Sequence, residues 1–204
     1  MMTRDFWDER FGASDYAYGT EPNNFLVNAV RHIPAKGRVL CIAEGEGRNG
    51  VFLAKNGFTV SAVDISPEGK KKALALAADN NVSIDYVTSD VGHFDFGENE
   101  WDAVISIFGF IAHDARARKL AFERIQAALK QDGVLIMEAY HPRQLAYKTG
   151  GPKEVELLIT LDELNEAFEN EQILHKTELE REVVEGIYHT GKACVTQFIY
   201  KKTS

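Results

Sequence analysis

The chain has 204 residues, 45% hydrophobic and 26% charged, a balance that fits one globular core and excludes a disordered or collagen-like chain. Acidic residues number 31 against 23 basic ones, and the net charge of -8 disfavours a nucleic-acid backbone as partner and favours a small ligand. No apolar run approaches the roughly 18 to 20 residues that a membrane span needs, and Met1 to Arg10 is too charged for a signal peptide, so the expected compartment is the cytoplasm.

Asn23 to Ile33 places Phe25, Leu26, Ala29, Val30 and Ile33 at helical intervals, and Pro34 with Gly37 ends that amphipathic helix. Arg38 to Ala43 reads as a strand that gives way to Gly45, Gly47 and Gly50, then to a helix over Val51 to Asn56. Thr59 to Val63 is a second strand ending at Asp64, after which Ser66 caps a helix with Pro67 at its first position, running to about Asp79. Ser83 to Thr88 alternates as a strand does, and Trp101 to Ile107 is a nearly continuous apolar run suited to a sheet buried on both faces.

Asp114 caps a helix carrying Leu120, Ala121, Ile125, Ala128 and Leu129, and Asp132-Gly133 turns into a fifth strand over Val134 to Tyr140. His141 to Ile159 has no clear period and reads as a long loop. Thr160 and Glu163 form a capping-box pair before a short helix, and Ile173 to Lys201 reads as two strands joined through Tyr188 to Gly191. Cys41 and Cys194 both lie inside apolar strand-like runs and read as buried thiols. The alternation predicts an α/β fold, a mainly parallel sheet closed by an antiparallel C-terminal hairpin.

Gly45-Glu46-Gly47-Arg48-Asn49-Gly50 is G-x-G-x-x-G between a strand and a helix, with Asp64 closing the next strand. In a dinucleotide site such glycines admit a pyrophosphate to a helix N-terminus. Glu44 argues against that ligand, since a carboxylate about 4 Å from a phosphate costs about 4 kcal/mol per charge pair at an effective dielectric near 20. The same acid suits S-adenosylmethionine, which carries a sulfonium and an ammonium and no phosphate. A nicotinamide oxidoreductase and a non-catalytic cofactor-binding module stand as the alternatives. No His or Cys pair has metal-site spacing, and neither a P-loop nor G-x-S-x-G occurs, so no metal is expected.

VLCIAEGEGRNGVFLA resembles motif I of the class I S-adenosylmethionine-dependent methyltransferases, and the likeness runs over about residues 37 to 140. FWDERF, the stretch Tyr18 to Asn23, GEGRNG and YHTGKACV look like the small bacterial tellurite-resistance and thiopurine-type methyltransferases. The resemblance implies a Rossmann-like three-layer sandwich with strand order 3-2-1-4-5-7-6. It implies a single domain over 1–204, with a lid and helix segment over 1–36, a cofactor-binding core over 37–140 and a substrate-side loop, helix and hairpin over 141–204.

The implied cofactor is S-adenosyl-L-methionine, held by Glu44, Gly45, Glu46, Gly47, Arg48 and Asn49 at the turn. Asp64 is the implied ribose ligand with Ile65 packing on adenine, Asp90 and Val91 read the adenine, and Phe108 stands at the site edge. Glu44 and Glu46 depart from the commoner Asp and Cys or Ser of the superfamily. The implied partner is a small-molecule methyl acceptor, a thiol or a metalloid or chalcogen oxyanion, reached by a monomer or weak dimer. Tyr18, His113 and His141 are the candidate catalytic residues, with Tyr16, Tyr140, Arg143 and Lys148 nearby. Ligands of open α/β sheets bind at the edge that several of these occupy. His32, His93 and His175 have no constellation around them.

Overall fold

Seven strands form one sheet in the order β3-β2-β1-β4-β5-β7-β6 in the computed structural model, which describes residues 3–109, 114–147, 149–169 and 172–203. They are β1 (Arg38–Ile42), β2 (Thr59–Asp64), β3 (Asp85–Thr88), β4 (Trp101–Ile107), β5 (Leu129–Tyr140), β6 (Gln172–Glu185) and β7 (His189–Lys201). The first five run parallel, and β7 pairs antiparallel with both β5 and β6. The sheet order and the terminal hairpin are those the resemblance implies.

Period-two side-chain alternation splits each central strand between two cores. Val39 and Cys41 face a layer built from α2 (Asn24–Ala29), α3 (Arg48–Lys55) and α4 (Pro67–Asp79), whereas Leu40 and Ile42 face α5 (Ala115–Ala128) and α6 (Leu161–Ala167). Both faces are covered, which is why these strands read as apolar runs. The strand order reverses between β1 and β4, so their C-terminal ends open a crevice at a topological switch point.

Several boundaries differ from the sequence reading, each for a local reason. Helix α1 (Arg4–Phe11) has no apolar period to announce it; Thr3 caps it and it packs on α4. Asn23 to Ile33 divides into α2 and a 3-10 turn over Val30–His32, and β3 begins two residues late. Helix α3 starts at Arg48, so the second half of the glycine motif is already its first turn.

Leu129 leaves α5 as an extended C-cap and pairs with Trp101, while Ala103 pairs with Val134. A bulge containing Asp132 (φ 64°) absorbs the extra residues. The 141–159 loop carries 3-10 turns at Pro142–Ala146 and Val155–Leu157. Thr160 does cap α6 through the Glu163 N–H, but the Glu163 carboxylate turns away to Arg118, so the box is one-sided. His189 already belongs to β7, which moves the hairpin turn back to residues 186–188.

Candidate functional site

The glycine turn is shaped by two close approaches. Gly47 (φ 91°) is the N-cap of α3, and a Cβ there would stand 2.6 Å from that of Ala73, so glycine is what lets α3 and α4 pack. Gly45 (φ 62°) donates its N–H to Asp64 Oδ2 at 3.0 Å and accepts the Tyr86 hydroxyl at 2.6 Å, while the Phe11 ring of α1 covers it. Asp64 Oδ1 accepts from Ser66 N–H at 2.9 Å. The carboxylate at the end of β2 thus locks the turn after β1.

Glu44 Oε1 accepts the Gly50 N–H at 2.6 Å. The first turn of α3 is therefore already capped by the chain's own carboxylate, which leaves a pyrophosphate no free N-terminus of the kind a dinucleotide site offers. Burial raises the Glu44 carboxyl to about 7 and that of Asp64 to about 6. Both acids carry the charge penalty that a cationic ligand would relieve.

Glu46 has a different task. Its carboxylate is buried, meets Lys72 Nζ at 2.8 Å and accepts the Tyr18 N–H at 3.4 Å, so it ties the N-terminal segment to α4. Arg48 is likewise committed, 2.6 Å from Glu185 on the hairpin. The Asn49 side chain accepts the Asn23 N–H at 3.0 Å. Asp90 Oδ1 accepts the Gly92 N–H at 2.7 Å, bending the chain after β3.

These groups border a cavity of about 900 Å³ at the C-terminal ends of the strands. Glu44, Gly45, Glu46, Arg48 and Asn49 line it from the turn, Asp64 and Ile65 from β2, Asp90 and Val91 from β3, and Phe108 from β4. Gly47 lies beneath α4 instead. Ala43 (φ 51°) and Phe108 (φ 52°) are non-glycine residues in the left-handed region at the ends of β1 and β4, and both border the cavity. Backbone strain of this kind concentrates at binding sites.

Of the candidate catalytic residues, Tyr18 lines the cavity, with burial raising its phenol and Arg10 donating to its hydroxyl at 2.8 Å. His113 lies outside the described residues, as does Lys148. His141 stands away from the cavity lining; its Nδ1 accepts the Arg143 N–H at 3.0 Å and its Nε2 is 3.3 Å from Glu178, a carboxylate that Arg143 also faces. Tyr140 is buried with its ring 4.6 Å from that of Phe108.

Sequence reasoning gave no site role to Phe6, Trp7 and Arg10 of α1, nor to Tyr188, all of which line the cavity. His189 lines it too, with burial lowering its imidazole to about 3. Their signal lay in FWDERF and YHTGKACV, stretches singled out by likeness but silent in hydrophobic pattern. Among the described residues no group of three or more His, Cys, Asp or Glu side chains forms a metal site.

Residues 39–133 match the model of a methyltransferase domain. An uncharacterized protein of Mycobacterium tuberculosis is 34% identical over 113 residues, 52% of this chain and 41% of the relative, so the chain spans about two fifths of that relative's length. In fold, the chain is similar to TehB of Haemophilus influenzae (TM-score 0.73, 15% identity, 98% of this chain and 67% of that one). It is also similar to the N-methyltransferase NodS of Bradyrhizobium japonicum in complex with S-adenosyl-L-homocysteine (TM-score 0.76, 12% identity, 100% of both chains). The domain match from β1 into β5, the sheet order and the acid-lined turn agree, and residues 39–133 form a methyltransferase domain of the class I, S-adenosylmethionine-dependent type.

Proposed function

We propose that the protein transfers a methyl group from S-adenosylmethionine to a small-molecule acceptor whose reacting atom is soft or already ionised, a thiolate or a chalcogen oxyanion. The observation that carries this reading is the pair Glu44 and Asp64, buried at the switch point and raised to about 7 and 6. Their charge becomes favourable when a cation faces them. The cofactor, when bound, supplies an electrophilic methyl on a positively charged sulfur.

The chain's own residues do the rest. Asp64 keeps free lone pairs beside those that accept Gly45 and Ser66, enough to take ribose hydroxyls. Ile65 and Val91 offer apolar contact for the adenine and Asp90 an acceptor for its amino group, while Glu44 faces the amino-acid end through the turn. Gly45, Gly47, Glu46, Arg48 and Asn49 hold the shape of that turn. Phe11 and Tyr18 cover it and exclude water, which strengthens every charge interaction inside.

A soft, ionised acceptor fits the groups at hand. His189 is held neutral and weakly basic, and Tyr18 is a phenol raised by burial, so neither is a strong base near neutrality. His141 has no part in this scheme. The two unpaired, buried cysteines suit a reducing compartment such as the cytoplasm. Among the described residues no helix is long and apolar enough to cross a membrane.

The test is calorimetric titration with S-adenosylhomocysteine beside NAD, followed by methyl transfer to a panel of thiols and chalcogen oxyanions. Micromolar binding of the first ligand alone, then methylated product, is the expected result. Binding of NAD instead would return the oxidoreductase reading, and cofactor binding without turnover across the panel would favour a non-catalytic module.

A further inference from the structure

The cavity is electrically two-ended. Glu44, Asp64 and Asp90 stand at the ends of β1, β2 and β3, whereas α1 and the hairpin bring a cation to the other wall. That cation is Arg10. Of the other basic residues lining the cavity, Arg48 is paired with Glu185, Arg124 donates to backbone carbonyls such as that of Gly92, and Lys153 is exposed at the rim. Arg10 is half-buried, and among the described residues no carboxylate lies within 4.0 Å of it.

Its surroundings are flat and aromatic. The guanidinium carbon lies 4.2 Å from the Tyr188 ring centre, 4.6 Å from that of Phe6 and 5.6 Å from that of Trp7. One N–H is spent on the Tyr18 hydroxyl at 2.8 Å. The remaining donors of the fork are available to a planar anion, the geometry in which arginine binds oxyanions best.

Two buried polar atoms beside this wall have no partner. His189 is 8% exposed, lines the cavity and leaves Nδ1 unbonded; its ring centre is 4.4 Å from that of Tyr18. Tyr140 is 4% exposed with an unbonded hydroxyl, 3.3 Å from where a Cβ on the cavity residue Gly150 would stand. Buried polar atoms are rarely left so unless a ligand or water completes them.

We propose that Arg10 is the specificity-determining residue for the acceptor, gripping a carboxylate or other planar oxyanion on a flat, unsaturated body, with His189 and Tyr140 bonding the polar edge of that body. The proposal rests on the methyltransferase reading only in calling this ligand the acceptor. An anion held here lies across the cavity from the acids that favour a cationic cofactor, so the two ligands are sorted by charge in a protein that would otherwise repel an anion. Because Arg10 sits on α1, the same helix that covers the glycine turn also reads the acceptor.

Trp7 reports on this wall, while Trp101 is buried at the far end of β4 and supplies a constant background. The experiment is fluorescence titration of the full chain with benzoate and with its neutral isostere benzamide. Benzoate is expected to bind about tenfold more tightly, the size of one charge-assisted contact. Arg10→Gln should bring the two ligands within about twofold, and Arg10→Lys should keep part of the preference. Tyr188→Leu removes a stacking partner of Arg10 but not its charge, and should retain the preference.

Equal binding of benzoate and benzamide, no response to either at millimolar concentration, or a preference that survives Arg10→Gln would each overturn the proposal. Loss of the preference in Tyr188→Leu to the same extent as in Arg10→Gln would make Arg10 a structural clip and overturn it too. Calorimetry with S-adenosylhomocysteine is run on the same samples. Its failure sinks the methyltransferase reading alone, and failure of benzoate with that binding intact sinks this inference alone.

Discussion

Glu44 and Asp64 make the cleanest quantitative statement, because burial raises both carboxyls above their ordinary 4.5 and 3.8 to about 7 and 6. The native state then binds more protons than the unfolded chain between about pH 4 and 7, so the part of stability they control is greatest on the acid side and falls as pH rises through the folded values. A cationic ligand reverses that penalty. Affinity for S-adenosylmethionine should rise roughly tenfold from pH 5.5 to 7.5 with release of a proton, which calorimetry in buffers of different ionisation enthalpy would read. A flat profile would mean that neither acid meets the ligand's charge. Asp64→Ala should weaken cofactor binding by about 1 to 3 kcal/mol, the cost of a lost charge-assisted bond and a loosened turn. Unchanged affinity would remove Asp64 from the site.

Helices α3 and α4 meet through a glycine, and α1 rests on both the turn and α4. Gly47→Ala combines a left-handed backbone with a Cβ overlapping Ala73, and about 2 to 4 kcal/mol of lost stability is expected in urea unfolding. Ser66 joins two elements: its hydroxyl accepts the Gly69 N–H at 3.1 Å to cap α4 and donates to Asp8 of α1 at 2.5 Å. Ser66→Ala should cost about 1 kcal/mol as a lost cap and should also free α1, seen as faster proteolysis ahead of Phe11. A thermal midpoint equal to wild type would show that the cap is dispensable.

The ends of the chain are drawn together by a buried ionic network. Arg48 meets Glu185 at 2.6 Å, Arg181 bridges Glu185 at 3.0 Å and Glu138, and Asn23 donates to Glu138 at 2.8 Å and Glu185 at 2.9 Å. Against burial, which raises it, Arg48 and Arg181 hold the Glu185 carboxyl low. The glycine turn, the N-terminal segment, β5 and the hairpin share this one knot. Arg181→Met leaves Glu138 buried without its cation and should cost about 3 to 5 kcal/mol in denaturant unfolding, whereas a loss under 1 kcal/mol would show that Asn23 and Gln197 suffice. The sheet protects its own edges: β3 is only four residues long, and β6 carries Lys176, Glu178, Glu180, Arg181 and Glu182 along its length.

Five parallel strands, the glycine turn and the acids after β1, β2 and β3 were legible in the chain. Each is written locally, in a β-branched run, a glycine that no other residue replaces, or an acid at a strand end. Helix α1 was not legible, because its eight residues have no apolar stripe and are held by Asp8 on Ser66 and by Phe11 against Gly45. The same holds for the pairing of Glu46 with Lys72, for Arg48 with Glu185 across the fold, and for His141 turning towards Glu178. Spacing along the chain specifies which backbone a residue sits on. Where a charged side chain finds its partner is set by which elements pack together, and the acceptor wall of Arg10, Tyr18 and His189 exists because α1 closes against a hairpin more than a hundred residues away.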